Sequence, residues 1–97
     1  MSHYELYKEK VLAHCQDLTR KGYLVGTGGN VSVRIEGEDA LAITPSSMDY
    51  LALDPEDICI YSFDKERIAG EHLPSVEMAM HIAVYRNRLD VNACLLY

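Results

Sequence analysis

The chain has 97 residues, a net charge of −6 and an apolar share of 48%. That length fits one small domain with its own core, and that apolar share excludes a disordered chain. The acidic balance argues against nucleic acid or an anionic membrane as partner, because either needs a basic face. Cys15, Cys59 and Cys94 are widely spaced and form no C-x-x-C, which excludes a disulfide scaffold or a zinc ribbon and points to reduced core thiols. The start, Met1-Ser2-His3-Tyr4-Glu5, has no apolar leader region, and no stretch reaches membrane-spanning length, so a cytoplasmic location is expected.

In chain order, Tyr4, Tyr7, Val11, Cys15 and Leu18 recur at helical spacing and predict a helix from Tyr4 to Lys21, stopped at Gly22. Val31, Val33 and Ile35 alternate with Ser32 and Arg34, the pattern of a half-buried strand. After a turn over Glu36-Gly37-Glu38-Asp39, Ala40 to Ile43 reads as a second strand antiparallel to the first. Thr44-Pro45-Ser46-Ser47 breaks it, and Asp54-Pro55-Glu56-Asp57 is a further turn before a third strand, Ile58 to Phe63. A short return follows through Ile68-Ala69. Pro74 then introduces a helix from Ser75 to Arg88, with Ser75 as N-cap and Met78, Ile82 and Tyr85 on its apolar face. Val91 to Tyr97 reads as a last strand. The expected fold class is α/β (α+β): a three-layer sandwich with a largely antiparallel central sheet flanked by helices, here truncated.

Three loops carry the chemistry. Gly26-Thr27-Gly28-Gly29-Asn30-Val31-Ser32 combines backbone freedom with hydroxyl and amide donors, a composition that cradles a phosphate or carboxylate or simply makes a turn. It is neither of two familiar phosphate loops. No lysine lies between Lys21 and Lys65 for a Walker loop, and Val31 stands where a dinucleotide fingerprint needs its third glycine. Thr44 to Ser47 and Pro74 to Glu77 add hydroxyls and a helix start, whose free N–H groups attract anions. Glu77 places a carboxylate beside them. Taken singly, Thr44-Pro45 equally ends a strand and Glu77 equally complements a helix dipole; together they suit acid–base chemistry on an anionic substrate.

In order, Gly26 to Arg34, Ile43-Thr44-Pro45-Ser46, Leu73-Pro74-Ser75-Val76-Glu77, Met80 to Arg86 and Asp90-Val91-Asn92-Ala93 resemble the N-terminal part of the class II aldolase/adducin family. The likeness is strongest to lyases of the L-fuculose-phosphate aldolase type. It makes residues 1–97 the N-terminal portion of one class II aldolase-like domain. It implies a phosphate pocket of Gly28, Gly29, Asn30, Thr44, Ser46, Ser47, Ser75 and Val76, with Glu77 as the acid/base at the carbon beside the carbonyl. It also implies zinc as Lewis acid, a small phosphorylated sugar or related anionic metabolite as substrate, dihydroxyacetone phosphate and an aldehyde as products, and a homotetramer. Glutamate at position 77 favours an aldolase or a sugar-phosphate dehydratase over the related epimerases, which carry aspartate there.

The chain departs from that pattern in three respects. The family's first zinc-ligating histidine falls by register on Leu96, and the second falls beyond Tyr97, so this chain by itself is expected to be inactive and no metal ligand is assigned in it. His81, one turn after Glu77, is expected to face the core or to support the site from behind, and His72 to be a solvated loop residue. Ser47 stands where the aldolases commonly carry glycine. Val76 replaces a serine, removing a donor whose hydrogen bond to a charged group is worth roughly 1.5–3 kcal/mol. The alternative is a non-enzymatic adducin-like interaction domain or anion-binding module without metal.

Overall fold

The computed structural model describes residues 3–24 and 29–96. Helix α1 (His3–Arg20) buries Tyr7, Val11 and Cys15, one turn apart on a single stripe. It closes with the left-handed glycine anticipated at Gly22 (φ 84°). Tyr23 N–H donates to Leu18 O at 2.9 Å and Gly22 N–H to Thr19 O at 3.1 Å, so the last carbonyls are satisfied.

Five strands follow: β1 (Asn30–Arg34), β2 (Ala40–Ile43), β3 (Cys59–Ser62), β4 (Arg67–Ala69) and β5 (Ala93–Leu96). Their order across the sheet is β4-β3-β2-β1-β5, and every neighbouring pair is antiparallel. Helix α2 (Met78–Asn87) precedes β5, and two 3-10 turns, Tyr50–Ala52 and Pro55–Asp57, bridge β2 to β3.

Alternate strand residues point to opposite faces, and here both faces are covered. Val31, Val33, Ala42 and Ile60 pack with Tyr7, Val11 and Cys15 of α1, whereas Leu41, Ile43 and Cys59 pack with Met78, Ile82 and Tyr85 of α2. The three-layer expectation holds. The half-buried first strand does not: Asn30, Val31, Ser32 and Val33 are all buried, because α2 lies over the face assigned to solvent.

Helix α2 also starts later than Ser75. The chain stays extended through an isolated bridge between Pro45 and Pro74, Ser75 N–H donates to Thr44 O at 3.0 Å, and Glu77 is the N-cap. Cys15, Cys59 and Cys94 are free thiols, and burial pushes Cys15 and Cys59 up to about 11. Among the described residues no helix is long and apolar enough to cross a membrane.

Candidate active site

Backbone pairing brings the three loops together. Thr44 N–H donates to Val31 O at 3.1 Å, which ties the second loop to the first. Ser46 N–H donates to Leu73 O at 2.9 Å, and with the Ser75–Thr44 bond this ties the third loop to the second. Between them lies a cavity of about 160 Å³ lined by Gly29, Asn30, Pro45, Ser46, Ser47, Tyr50, Ser75, Val76 and Glu77. Seven of the eight expected pocket residues that can be placed, Glu77 included, meet there. Gly28, with Gly26 and Thr27, lies outside the described residues.

Thr44 does not line the cavity. It is fully buried, and its Oγ1 accepts from Val31 N–H at 3.3 Å, so the hydroxyl serves the junction between β1 and β2. Pro45 holds the wall beside it. Gly29 is required at its position: φ is 78°, and an added Cβ would lie 2.5 Å from Leu24 Cδ2 and 3.0 Å from Leu96 O. Ser47 has φ 57°, a left-handed conformation that costs a side-chain-bearing residue about 1–2 kcal/mol. A glycine would adopt that conformation without the cost.

The donors available to an anion follow from what is already engaged. Ser75 Oγ accepts from Glu77 N–H at 3.3 Å, which leaves its O–H to donate. Ser46 and Ser47 hydroxyls lie 3.4 Å apart at the exposed rim. Among the described residues, no hydrogen bond engages the N–H of Ser47 or Val76. Val76 itself is 88% exposed, at the mouth. The lining includes no lysine or arginine, so positive potential comes from backbone dipoles and the start of α2.

Glu77 Oε2 accepts from Asn30 Nδ2 at 2.9 Å, across the cavity wall. Asn30 is 5% exposed, and its Oδ1 accepts from His81 Nε2, so only one Nδ2–H remains for a ligand. His81 is fully buried, as expected for a core-facing residue. Burial holds its imidazole down to about 4, against the opposing pull of the Glu77 carboxylate. His72 lies in a loop with its side chain 40% exposed, as expected, and its Nε2 meets Asp57 Oδ1 at 2.8 Å; Asp57 is held below the usual carboxylate range by a backbone hydrogen bond at Asp54 and by His72.

Tyr50, which the sequence did not single out, forms the floor. Its hydroxyl donates to Gly29 O, and burial raises it above the ordinary tyrosine value, against a Thr44 hydrogen bond that lowers it. Gln16 of α1 clamps this floor by donating to Tyr50 O at 3.1 Å and Leu53 O at 3.2 Å. The local signal was an aromatic residue just after the second loop.

The described residues bring together no group of three histidine, cysteine, aspartate or glutamate side chains. The position that the resemblance assigns to the first zinc ligand, Leu96, pairs with Asn30 in the β1–β5 register and so stands beside the cavity. The residues present therefore do not fit a zinc centre by themselves.

The chain is 40% identical over 86 residues to the 5-deoxy-D-ribulose 1-phosphate aldolase of Bacillus thuringiensis serovar kurstaki, covering 89% of this chain and 40% of that protein. It is 39% identical over 79 residues to the L-fuculose phosphate aldolase of Methanococcus maripaludis, covering 81% of this chain and 42% of that protein. A solved L-fuculose 1-phosphate aldolase superposes with a TM-score of 0.86 at 32% identity, over 92% of this chain and 42% of that one. The chain thus spans about 40% of the length of the relatives it matches. Residues 9–96 match the Class II Aldolase and Adducin N-terminal domain, nearly the whole chain, and the protein therefore belongs to the class II aldolase and adducin family.

Proposed function

We propose that the protein carrying this chain performs retro-aldol cleavage of a small phosphorylated sugar, with residues 1–97 as the N-terminal portion of its catalytic domain. One observation carries this reading: the Glu77 carboxylate stands in the wall of the same cavity as the Ser46, Ser47 and Ser75 hydroxyls. The relatives' names, each an aldolase of a sugar phosphate, support it.

In this reading the hydroxyls of Ser46, Ser47 and Ser75 and the N–H groups of Ser47 and Val76 hold the phosphate. The proton of the substrate's β-hydroxyl passes through solvent to the Glu77 carboxylate, the bond between the carbons α and β to the carbonyl breaks, and the β carbon leaves as an aldehyde. The electron pair passes to the carbonyl oxygen as an enediolate. Glu77, as the carboxylic acid, returns a proton to the adjacent carbon and gives dihydroxyacetone phosphate. Zinc is the family's cofactor by resemblance, but the ligand set here is incomplete and no step is routed through it. Assembly into a homotetramer and a cytoplasmic location belong to the same proposal.

Aldehyde release by the full-length protein, assayed with added zinc, tests this. Glu77→Gln should lower kcat about 10²- to 10⁴-fold while phosphate affinity stays within a fewfold. Normal turnover in that variant would refute the role. A second reading, an anion-binding module without chemistry, draws on Leu96 beside Asn30, where the resemblance expects histidine. Stoichiometric zinc in the full-length protein would count against it.

A further inference from the structure

Behind Glu77 runs a chain of hydrogen bonds whose direction is fixed at every step. A carboxylate only accepts, so Asn30 presents Nδ2–H to Glu77, at 2.9 Å. Asn30 Oδ1 therefore faces His81, and an amide oxygen also only accepts, so His81 Nε2 carries the proton. The imidazole is neutral above about pH 4, which makes Nδ1 an acceptor. Ser32 Oγ lies 2.6 Å from Nδ1 and donates to it. Ser32 Oγ in turn lies 2.6 Å from the Tyr85 hydroxyl, which donates to Ser32. The far end is anchored: Tyr85 is fully buried, stacks on Phe63 with centroids 5.9 Å apart, and carries the Arg34 guanidinium 4.9 Å above its ring.

We infer that Tyr85, Ser32 and His81 form a buried positioning relay that locks the Asn30 amide with its N–H toward Glu77 and so aims the carboxylate into the cavity. This rests on the reading of Glu77 as the acid/base. An asparagine amide flips between two nearly isosteric states, and the wrong one sets an oxygen against the carboxylate. The Glu77 carboxylate and the Nε2–H of His81 both reject that state, one from each end of the amide. Ser32, His81 and Tyr85 are fully buried, and an apolar trio would fill the same core without the cost of burying polar atoms. Their polarity is accounted for by orientation, since a satisfied buried network specifies one geometry.

Two measurements decide it. Long-range ¹H–¹⁵N spectra of the full-length protein should show His81 as the Nε2–H tautomer alone; an Nδ1–H tautomer, or a mixture of the two, would overturn the relay. In the full-length protein, His81→Leu should lower kcat about 10- to 100-fold with KM nearly unchanged, the size expected for losing one orienting hydrogen bond to a charged group. His81→Gln places an amide N–H near the Nε2 position and should restore kcat to within about threefold of the parent. A fully active His81→Leu beside an inactive Glu77→Gln would sink the relay and spare the acid/base role. An active Glu77→Gln would sink that role, and the tautomer would still judge the relay. If His81→Leu fails to fold, Ser32→Ala should lower kcat about 2- to 10-fold; unchanged kcat there would also overturn the relay.

Discussion

Acid should loosen this fold through one imidazole. His81 sits at about 4 rather than its ordinary 6.5, primarily because burial penalises the charged ring; Glu77 pulls the other way. Glu77 is the charged group facing it, while Asn30 and Ser32 from β1 and Tyr85 from α2 offer only neutral partners. As pH falls below about 6.5 the unfolded chain takes up a proton that the folded chain refuses until about 4. The unfolded state then binds more protons, so this contribution to stability is complete above the window and drains away as pH falls through it. Between about pH 7 and about pH 4.5 the loss comes to about 2 kcal/mol, a sizeable part of the 5–15 kcal/mol typical of a folded domain. Asp57 and Asp90 are held below their ordinary 3.8 and so titrate beneath that window. Urea unfolding at both pH values, in the parent and in His81→Gln, isolates the term. The parent should lose about 2 kcal/mol more than the variant on acidification. Equal losses would refute the assignment of that pH dependence to His81.

Gly29→Ala should destabilise the chain by about 2–4 kcal/mol, from left-handed strain plus the clash with buried Leu24 and with Leu96 O. A loss under about 1 kcal/mol in the same urea assay would contradict the close approach. Ser47→Gly should leave stability unchanged or raise it by up to about 1 kcal/mol, because relief at φ 57° outweighs or matches the added freedom of the unfolded chain. Destabilisation by more than about 1 kcal/mol would mean that the Ser47 side chain holds the loop.

Periodicity made α1 legible: Tyr7, Val11 and Cys15 form a stripe that only a helix buries on one side. The lining of the candidate cavity was legible where loop chemistry is local, as at Gly29, Asn30, Ser46, Ser47, Ser75 and Glu77. It was illegible where tertiary pairing decides. Serine is a good N-cap, yet pairing of Pro74 with Pro45 and of Ser75 N–H with Thr44 O keeps the chain extended there, and regular helix begins only after Glu77. The direction of the Thr44 hydroxyl depends on pairing with Val31, which no local pattern encodes. Strand alternation put Ser32 on a wet face, but α2 crosses that face and turns it into core. Tyr85 has the periodicity of an ordinary core residue, and its hydroxyl acquires meaning only from Ser32 and His81.

Three loops distant in sequence line one cavity with Glu77 in its wall, and its proposed ligand is an anion. Titrating the purified chain with inorganic phosphate or phosphoglycolate, while following backbone amide resonances, tests it most directly. Saturable shifts are expected at Gly29, Ser47, Ser75 and Val76, with residues of β4 unmoved. Saturating ligand that leaves those four resonances in place would contradict it.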